Sequence, residues 1–337
     1  MTGPISAEYP LVTIGCAVYN GEATLERALA AVVAQDYPHL EILISDDCST
    51  DGSFAICEEF ARRDPRIRLL RNPKNIGLSK NNNLLVTEAQ GTYFMWADQD
   101  DFKAPSFVSK TAAALEVNPE AVLCHSHTGV FHGDPDEVSY IITLYGVDGE
   151  RSLVCRYLKF LRYFSDSTIY GLIRTSALRK TSLYGSDVGA ANSLLFELLL
   201  QGMFVQVPEV LYFYSARGMK KRPDVRAEYA RANGGKLPPR FYLPFLVVAI
   251  NETKDILRSS LELSEKVEVA SVLWAHTSAV AATKLVYRAL AAPLGEVARP
   301  LADLCDRIVE SRANVEIPEG TDRAELFPKY WTLRGGR

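Results

Sequence analysis

The sequence predicts an α/β domain built on a mostly parallel sheet flanked by helices, followed by a C-terminal helical extension. Three observations carry this reading. Short β-rich runs alternate with helical patterns from Leu11 onward, three of those runs end directly in polar, carboxylate-bearing loops, and strand signals stop near residue 240. A strand followed by a helix and another strand returns in parallel, with the helix laid across the sheet, so such a sheet is covered on both faces.

The elements follow in order. LVTIGCAVY (11–19) is an apolar β-type run, and ATLERALAAVVAQ (23–35) places its apolar residues at helical spacing. LEILIS (40–45) is the second strand, followed by a helix over 53–63, a strand IRLLR (67–71), a helix over 78–89 and the strand TYFMWA (92–97). A helix over 105–117 and the strand AVLCHSH (121–127) come next, then a less regular stretch to about 150. Helix returns over 151–163, strand in STIYGLIR (167–174), helix around 190–201, and strand in FVQVP and VLYFYS. A basic, Gly- and Pro-bearing segment precedes residues 241–313, which read as two or three amphipathic helices, so a boundary falls near 236–240.

The 337 residues are 47% hydrophobic, enough for a sizeable core. The net charge of -4 offers no general attraction for phosphate backbones, so no nucleic acid partner is expected. Six cysteines lie far apart without a C-x-x-C pair, as in a reduced, cytoplasmic protein. The longest apolar run, LPFLVVAI (243–250), is far shorter than the roughly 20 residues that span a bilayer. The expected location is the cytoplasm, with contact to the inner face of a membrane at most peripheral.

In such sheets ligands bind beyond the carboxyl ends of the strands. The clusters Asn20-Gly21-Glu22, Ser45-Asp46-Asp47 and Asp98-Gln99-Asp100-Asp101 should therefore share one rim. Two carboxylates about 4 Å apart repel by roughly 4 kcal/mol at an effective dielectric near 20. A hard cation such as Mg²⁺ or Mn²⁺ offsets that repulsion; the competing reading is a helix-capping Asp100 beside a solvated Asp98. In DDCSTDGS (46–53), Asp51 and Ser53 suit a helix cap, whereas the two acids before them suit ribose hydroxyls or a nucleobase imide. NIGLSKNNN (75–83) brings a turn glycine and Lys80 to a helix start, where a diphosphate is well received.

Together VTIGCAVYNGEATLERAL, ISDDCSTDGS and NIGLSKNNNLLVTEAQGTYFMWADQDDFKAP resemble the family 2 glycosyltransferases of the GT-A fold, over roughly residues 10–215. The resemblance implies a GT-A domain over 1–238, with a nucleotide-sugar half (10–103) and an acceptor half (104–238), before a helical region at 239–337. It implies a nucleotide-diphosphate-sugar donor, a hydroxyl acceptor (glycan, lipid-linked saccharide or natural product) and inversion, with Mn²⁺ or Mg²⁺ as cofactor. The implied nucleotide-sugar-binding residues are Val18, Tyr19, Asn20, Glu22, Asp46, Asp47, Asn75, Gly77, Lys80, Asp98, Gln99 and Arg217, and the implied metal ligands are Asp98 and Asp100.

Two departures from the family pattern stand out. Where relatives carry a general base, this chain has Ala190 and Ala191, which leaves Asp187 as the candidate catalytic base. Where many relatives have a histidine, it reads Ser215-Ala216-Arg217, and arginine can grip phosphate although it cannot ligate a cation. These departures keep open a second reading, a catalytically weak relative that binds a sugar nucleotide or serves as a scaffold. Trp96 and the tyrosines of LYFY read most simply as core, and the C-terminal helices as core or a homo-oligomer contact.

Overall fold

The computed structural model describes residues 9–132, 138–142, 152–163, 166–185, 190–216, 244–275, 277–278 and 314–315. Strands β1 (Val12–Val18), β2 (Leu40–Asp46), β3 (Ile67–Arg71) and β4 (Tyr93–Trp96) alternate with helices α1 (Glu22–Val33), α2 (Ser53–Arg63) and α3 (Leu78–Glu88). β1 lies between β4 and β2 and runs parallel to both, and β3 extends the parallel set beyond β2. Every residue of β1 is buried, which is why its sequence is a continuous apolar run without in–out alternation. Its one hydroxyl is satisfied: Thr13 Oγ1 donates to Glu41 Oε2 at 2.6 Å and accepts from the Gly91 N–H at 2.8 Å.

Beyond β4 the elements are β5 (Phe102–Lys103), α4 (Phe107–Glu116), β6 (Ala121–Phe131), β7 (Val138–Ile142), α5 (Leu153–Tyr163), a 3₁₀ turn (Asp166–Tyr170) and β8 (Leu172–Arg174). Then come α6 (Thr175–Leu178), α7 (Ala190–Gln201), β9 (Met203–Ser215), α8 (Pro244–Arg258), α9 (263–275) and β10 (Asn314–Val315). The strand order is β10-β7-β6-β8-β4-β1-β2-β3, with β9 parallel to β6 and antiparallel to β5. β8 is antiparallel to both β4 and β6, so it joins the parallel half to a mixed half. One apolar layer packs on the sheet face under α1, α2 and α4; the other lies under α3, α5, α7 and the C-terminal helices.

Two expected strands differ in the structure. Only Leu172–Arg174 of STIYGLIR is extended, because Gly171 sits so close to β6 that a Cβ there would lie 2.5 Å from the Cys124 carbonyl oxygen. The residues before it coil into the 3₁₀ turn that carries Tyr170. FVQVP and VLYFYS merge into the single strand β9, whose pairing with β6 jumps from Val207 to Val210. Pro208 lacks an N–H to donate, so the ladder skips it.

α8 and α9 lie against the domain: Ala249, Ile256, Val269 and Leu273 share a buried cluster with Leu194, Leu195 and Leu198 of α7. Each fully buried leucine or isoleucine of this kind contributes about 1.5–3 kcal/mol. Tyr157 on α5 donates to Glu252 Oε2 on α8 at 3.0 Å. The expected boundary at 236–240 lies outside the described residues. No helix among the described residues is long and apolar enough to cross a membrane.

Candidate active site

The three polar loops do meet on one rim, and their side chains stitch it together. Tyr19 N–H donates to Gln99 Oε1 at 3.0 Å, and Gln99 Nε2 returns a bond to the Tyr19 carbonyl at 3.2 Å, so the amide imitates a strand partner. Gly21 makes room for this, since a Cβ there would lie 2.5 Å from Gln99 Oε1. Asn20 adopts a positive φ of 47°, accepts the Thr50 N–H at 2.9 Å and donates its own N–H to Ser49 Oγ. Glu22 Oε2 accepts the Gly52 N–H at 3.0 Å. Asn20 and Glu22 thus fasten the β1 loop to the β2 loop, and neither borders the cavity described below.

The two acids after β2 have different surroundings. Asp46 has 0% of its surface exposed; its Oδ2 accepts the Ser49 N–H and pairs with Arg71 at 3.4 Å, and its buried Oδ1 has no hydrogen-bond partner among the described residues. Asp47 accepts three bonds near 2.9 Å, from Asn72 Nδ2 and the N–H groups of Ile76 and Gly77. Gly77 supplies the φ of 89° that turns its N–H toward this carboxylate, a conformation costly for residues with a Cβ. Asp47 therefore pins the loop that starts α3. Lys80 is exposed and stands outside the cavity lining.

At the end of β4, carboxylate oxygens of Asp98, Asp100 and Asp101 lie within 4.8 Å of one another. Asp101 is buried, with one oxygen accepting the Ser215 N–H at 2.7 Å and the other the Tyr212 hydroxyl. Asp98 accepts a hydrogen bond from Tyr170. Arg27 of α1 donates to the Asp100 carbonyl at 3.3 Å. Behind the acids, Lys103 is buried and donates to the Trp96 carbonyl at 2.9 Å.

Burial pushes the Asp98 carboxyl above its ordinary range, and burial with the neighbouring Asp98 charge pushes Asp101 up to about 7. Burial likewise pulls Lys103 down to about 8, against the attraction of Asp101 and Asp98. Tyr170 and Tyr212 stay protonated donors, because burial raises both well above the ordinary phenol value. Three hard oxygen donors this close together fit a divalent cation, whose charge would hold them ionised.

A cavity of about 790 Å³ opens at this rim. Val18, Tyr19, Asp47, Asn75 and the first residues of α3, Leu78 and Ser79, border one side; Asp98, Gln99 and Asp100 border its middle. Tyr140, Tyr170, Tyr184, Ala191 and Tyr214 border the far side. Asp187 and Arg217 lie outside the described residues, although α7 begins just beyond Asp187 and reaches the cavity through Ala191. The tyrosines of LYFY are more than core: Tyr212 is buried but bonds Asp101, and Tyr214 borders the cavity. Lys103, Tyr170, Tyr140 and Ser215 also escape the sequence reading. The available signal was a lysine set in the otherwise apolar stretch after Asp101.

A sheet whose carboxyl edge carries a carboxylate cluster beside a cavity of this size has the architecture of the GT-A class. The crystal structure of Staphylococcus aureus TarS residues 1–349 in complex with UDP shares it, with a TM-score of 0.58 at 17% identity, covering 79% of this chain and 72% of that one. Residues 13–178 match the pattern of glycosyl transferase family 2. An uncharacterized glycosyltransferase of Haemophilus influenzae is 33% identical over 109 residues, 32% of this chain and 34% of that protein. A second from the same organism is 29% identical over 139 residues, 41% of this chain and 55% of the other. The chain thus spans about a third to a half of the length of these relatives.

Proposed function

We propose that the protein transfers a sugar from a nucleoside-diphosphate sugar to an acceptor hydroxyl, with inversion at the anomeric carbon and with Mn²⁺ or Mg²⁺ as cofactor. The observation that carries this reading is the pair Asp98 and Asp100, which border the cavity beside the buried Asp101, between two sides that differ in chemistry. Val18, Tyr19, Asp47 and Asn75 border the nucleoside side, and the first turn of α3 offers its N–H groups to the diphosphate. Asp98 and Asp100 are the metal ligands in this reading, because both oxygens of Asp101 already accept internal bonds. When bound, the cation neutralises charge developing on the departing nucleoside diphosphate.

The chain's own residues orient the parts. Tyr170 and Tyr212 hold the carboxylates, Lys103 supplies a buried positive charge behind them, and Asp187 is the base that accepts the acceptor's proton. The TarS structures with UDP and with UDP-GlcNAc support a nucleotide-sugar donor by similarity of fold. Nucleotide release from a panel of donors tests the reading. Turnover of at least one donor, lost in Asp187→Asn with nucleotide binding retained, is the expected outcome; retained turnover in that variant would remove Asp187 from its role.

A further inference from the structure

The far side of the cavity carries information about the acceptor. Val130 on β6 is the register partner of Tyr140 on β7 and of Tyr214 on β9. Register partners in adjacent strands project to the same face, so the two tyrosines stand on one face with a buried valine between them. They are two strands apart, about 10 Å. Both tyrosines border the cavity. Two residues along β6, Thr128 pairs with Ile142 and Tyr212 in the same way, and Tyr212 bonds Asp101. The tyrosine pair therefore lies one row, about 7 Å, from the residues that touch the acid cluster.

The chemistry of this side is neutral. Among the described residues its lining consists of tyrosines, Ile142, Ile169, Ser167 and Ala191, without an ionised side chain. An anionic acceptor entering here would shed hydration with no counter-charge among those residues, and would approach carboxylates. A pyranose has the opposite needs: its C–H faces suit aromatic rings, and its hydroxyls can bond a serine hydroxyl. We propose that the acceptor is a neutral saccharide whose sugar ring is held between Tyr140 and Tyr214. This inference rests on the glycosyltransferase reading above.

The test begins with calorimetric titration of nucleoside diphosphates in Mn²⁺, which decides the donor reading by itself; if none binds, both readings fall. With a bound donor identified, transfer is measured onto neutral methyl glycosides of common hexoses and N-acetylhexosamines, and onto methyl glucuronide and glycerol phosphate. The expected result is transfer to at least one neutral glycoside, with the acceptor KM raised about tenfold in Tyr140→Ala and in Tyr214→Ala. Tyr140→Phe and Tyr214→Phe, which keep the ring, should stay within about twofold of the wild-type KM. Transfer confined to the anionic acceptors, no transfer to any neutral glycoside despite donor binding, or an unchanged KM in folded alanine variants would overturn the proposal and leave the donor reading standing. If an alanine variant does not fold, the leucine variant at that position takes its place, with the same rise in KM expected.

Discussion

The Lys103 ammonium donates to the Trp96 carbonyl at 2.9 Å, which fixes a buried cation behind the strand end that presents Asp98, Asp100 and Asp101. It also lies 4.8 Å from the centre of the Tyr212 ring, whose hydroxyl bonds Asp101. Removing this charge takes away the buried counter-charge behind the carboxylates, a loss of about 3–5 kcal/mol when one partner of a buried charged set is removed. Lys103→Met is therefore expected to lower the melting temperature of the metal-free protein, and Mn²⁺ should restore more of it than in the wild type. Thermal melts with and without Mn²⁺ check this; equal metal-induced shifts in the two proteins would contradict it.

The three acids should not be equivalent. Asp98→Asn and Asp100→Asn are expected to reduce sugar transfer by at least about 100-fold, the scale seen when a preorganised electrostatic group is lost. Asp101→Asn should act mainly on stability, because its carboxylate serves Ser215 and Tyr212 inside the protein. Rates at saturating Mn²⁺ beside denaturation midpoints separate the two effects.

Asp47 ties the start of α3 to the end of β2 through three N–H groups. Asp47→Ala leaves those buried or half-buried donors without their acceptor, at a cost of about 3 kcal/mol. Urea denaturation should show that loss, and affinities for uridine and guanosine diphosphates should fall together, since the loop borders the cavity through Asn75.

Glu252 gives the C-terminal helices a pH dependence. Burial raises its carboxyl from 4.5 to about 7 while Tyr157 bonds it. Between these values the folded protein keeps a proton that the unfolded chain releases, so stability falls as pH rises from about 4.5 to 7. The span corresponds to at most about 3 kcal/mol. Glu252→Gln should flatten that part of the curve, and denaturation midpoints at pH 5 and pH 8 check it.

How far the sequence reveals this site depends on how local each signal is. The acids after β2 and β4 are legible because each follows an apolar run directly, and a parallel sheet brings consecutive strand ends to one rim. The partners of those acids are not legible in the same way. Ser215 and Tyr212 meet Asp101 across more than 100 positions of chain, through the antiparallel pairing of β5 with β9. A tyrosine presents an apolar body and one hydroxyl, so in LYFY it reads as core until the topology shows where the hydroxyl ends. Asn20 and Glu22 show the converse. Polar residues at a strand end invite a ligand role, yet their side chains hold the adjacent loop by accepting the N–H groups of Thr50 and Gly52. The turn ending at Gly171 depends on crowding against β6, which periodicity does not encode.

The most direct test of the central claim is calorimetric titration of uridine and guanosine diphosphates into the protein and into Asp98→Asn, each with and without Mn²⁺. The account predicts that at least one nucleotide binds the wild type in Mn²⁺, and that binding weakens by about tenfold or more when the metal is omitted or the carboxylate is replaced. Absence of nucleotide binding by the folded wild-type protein, or binding indifferent to both Mn²⁺ and Asp98, would contradict it.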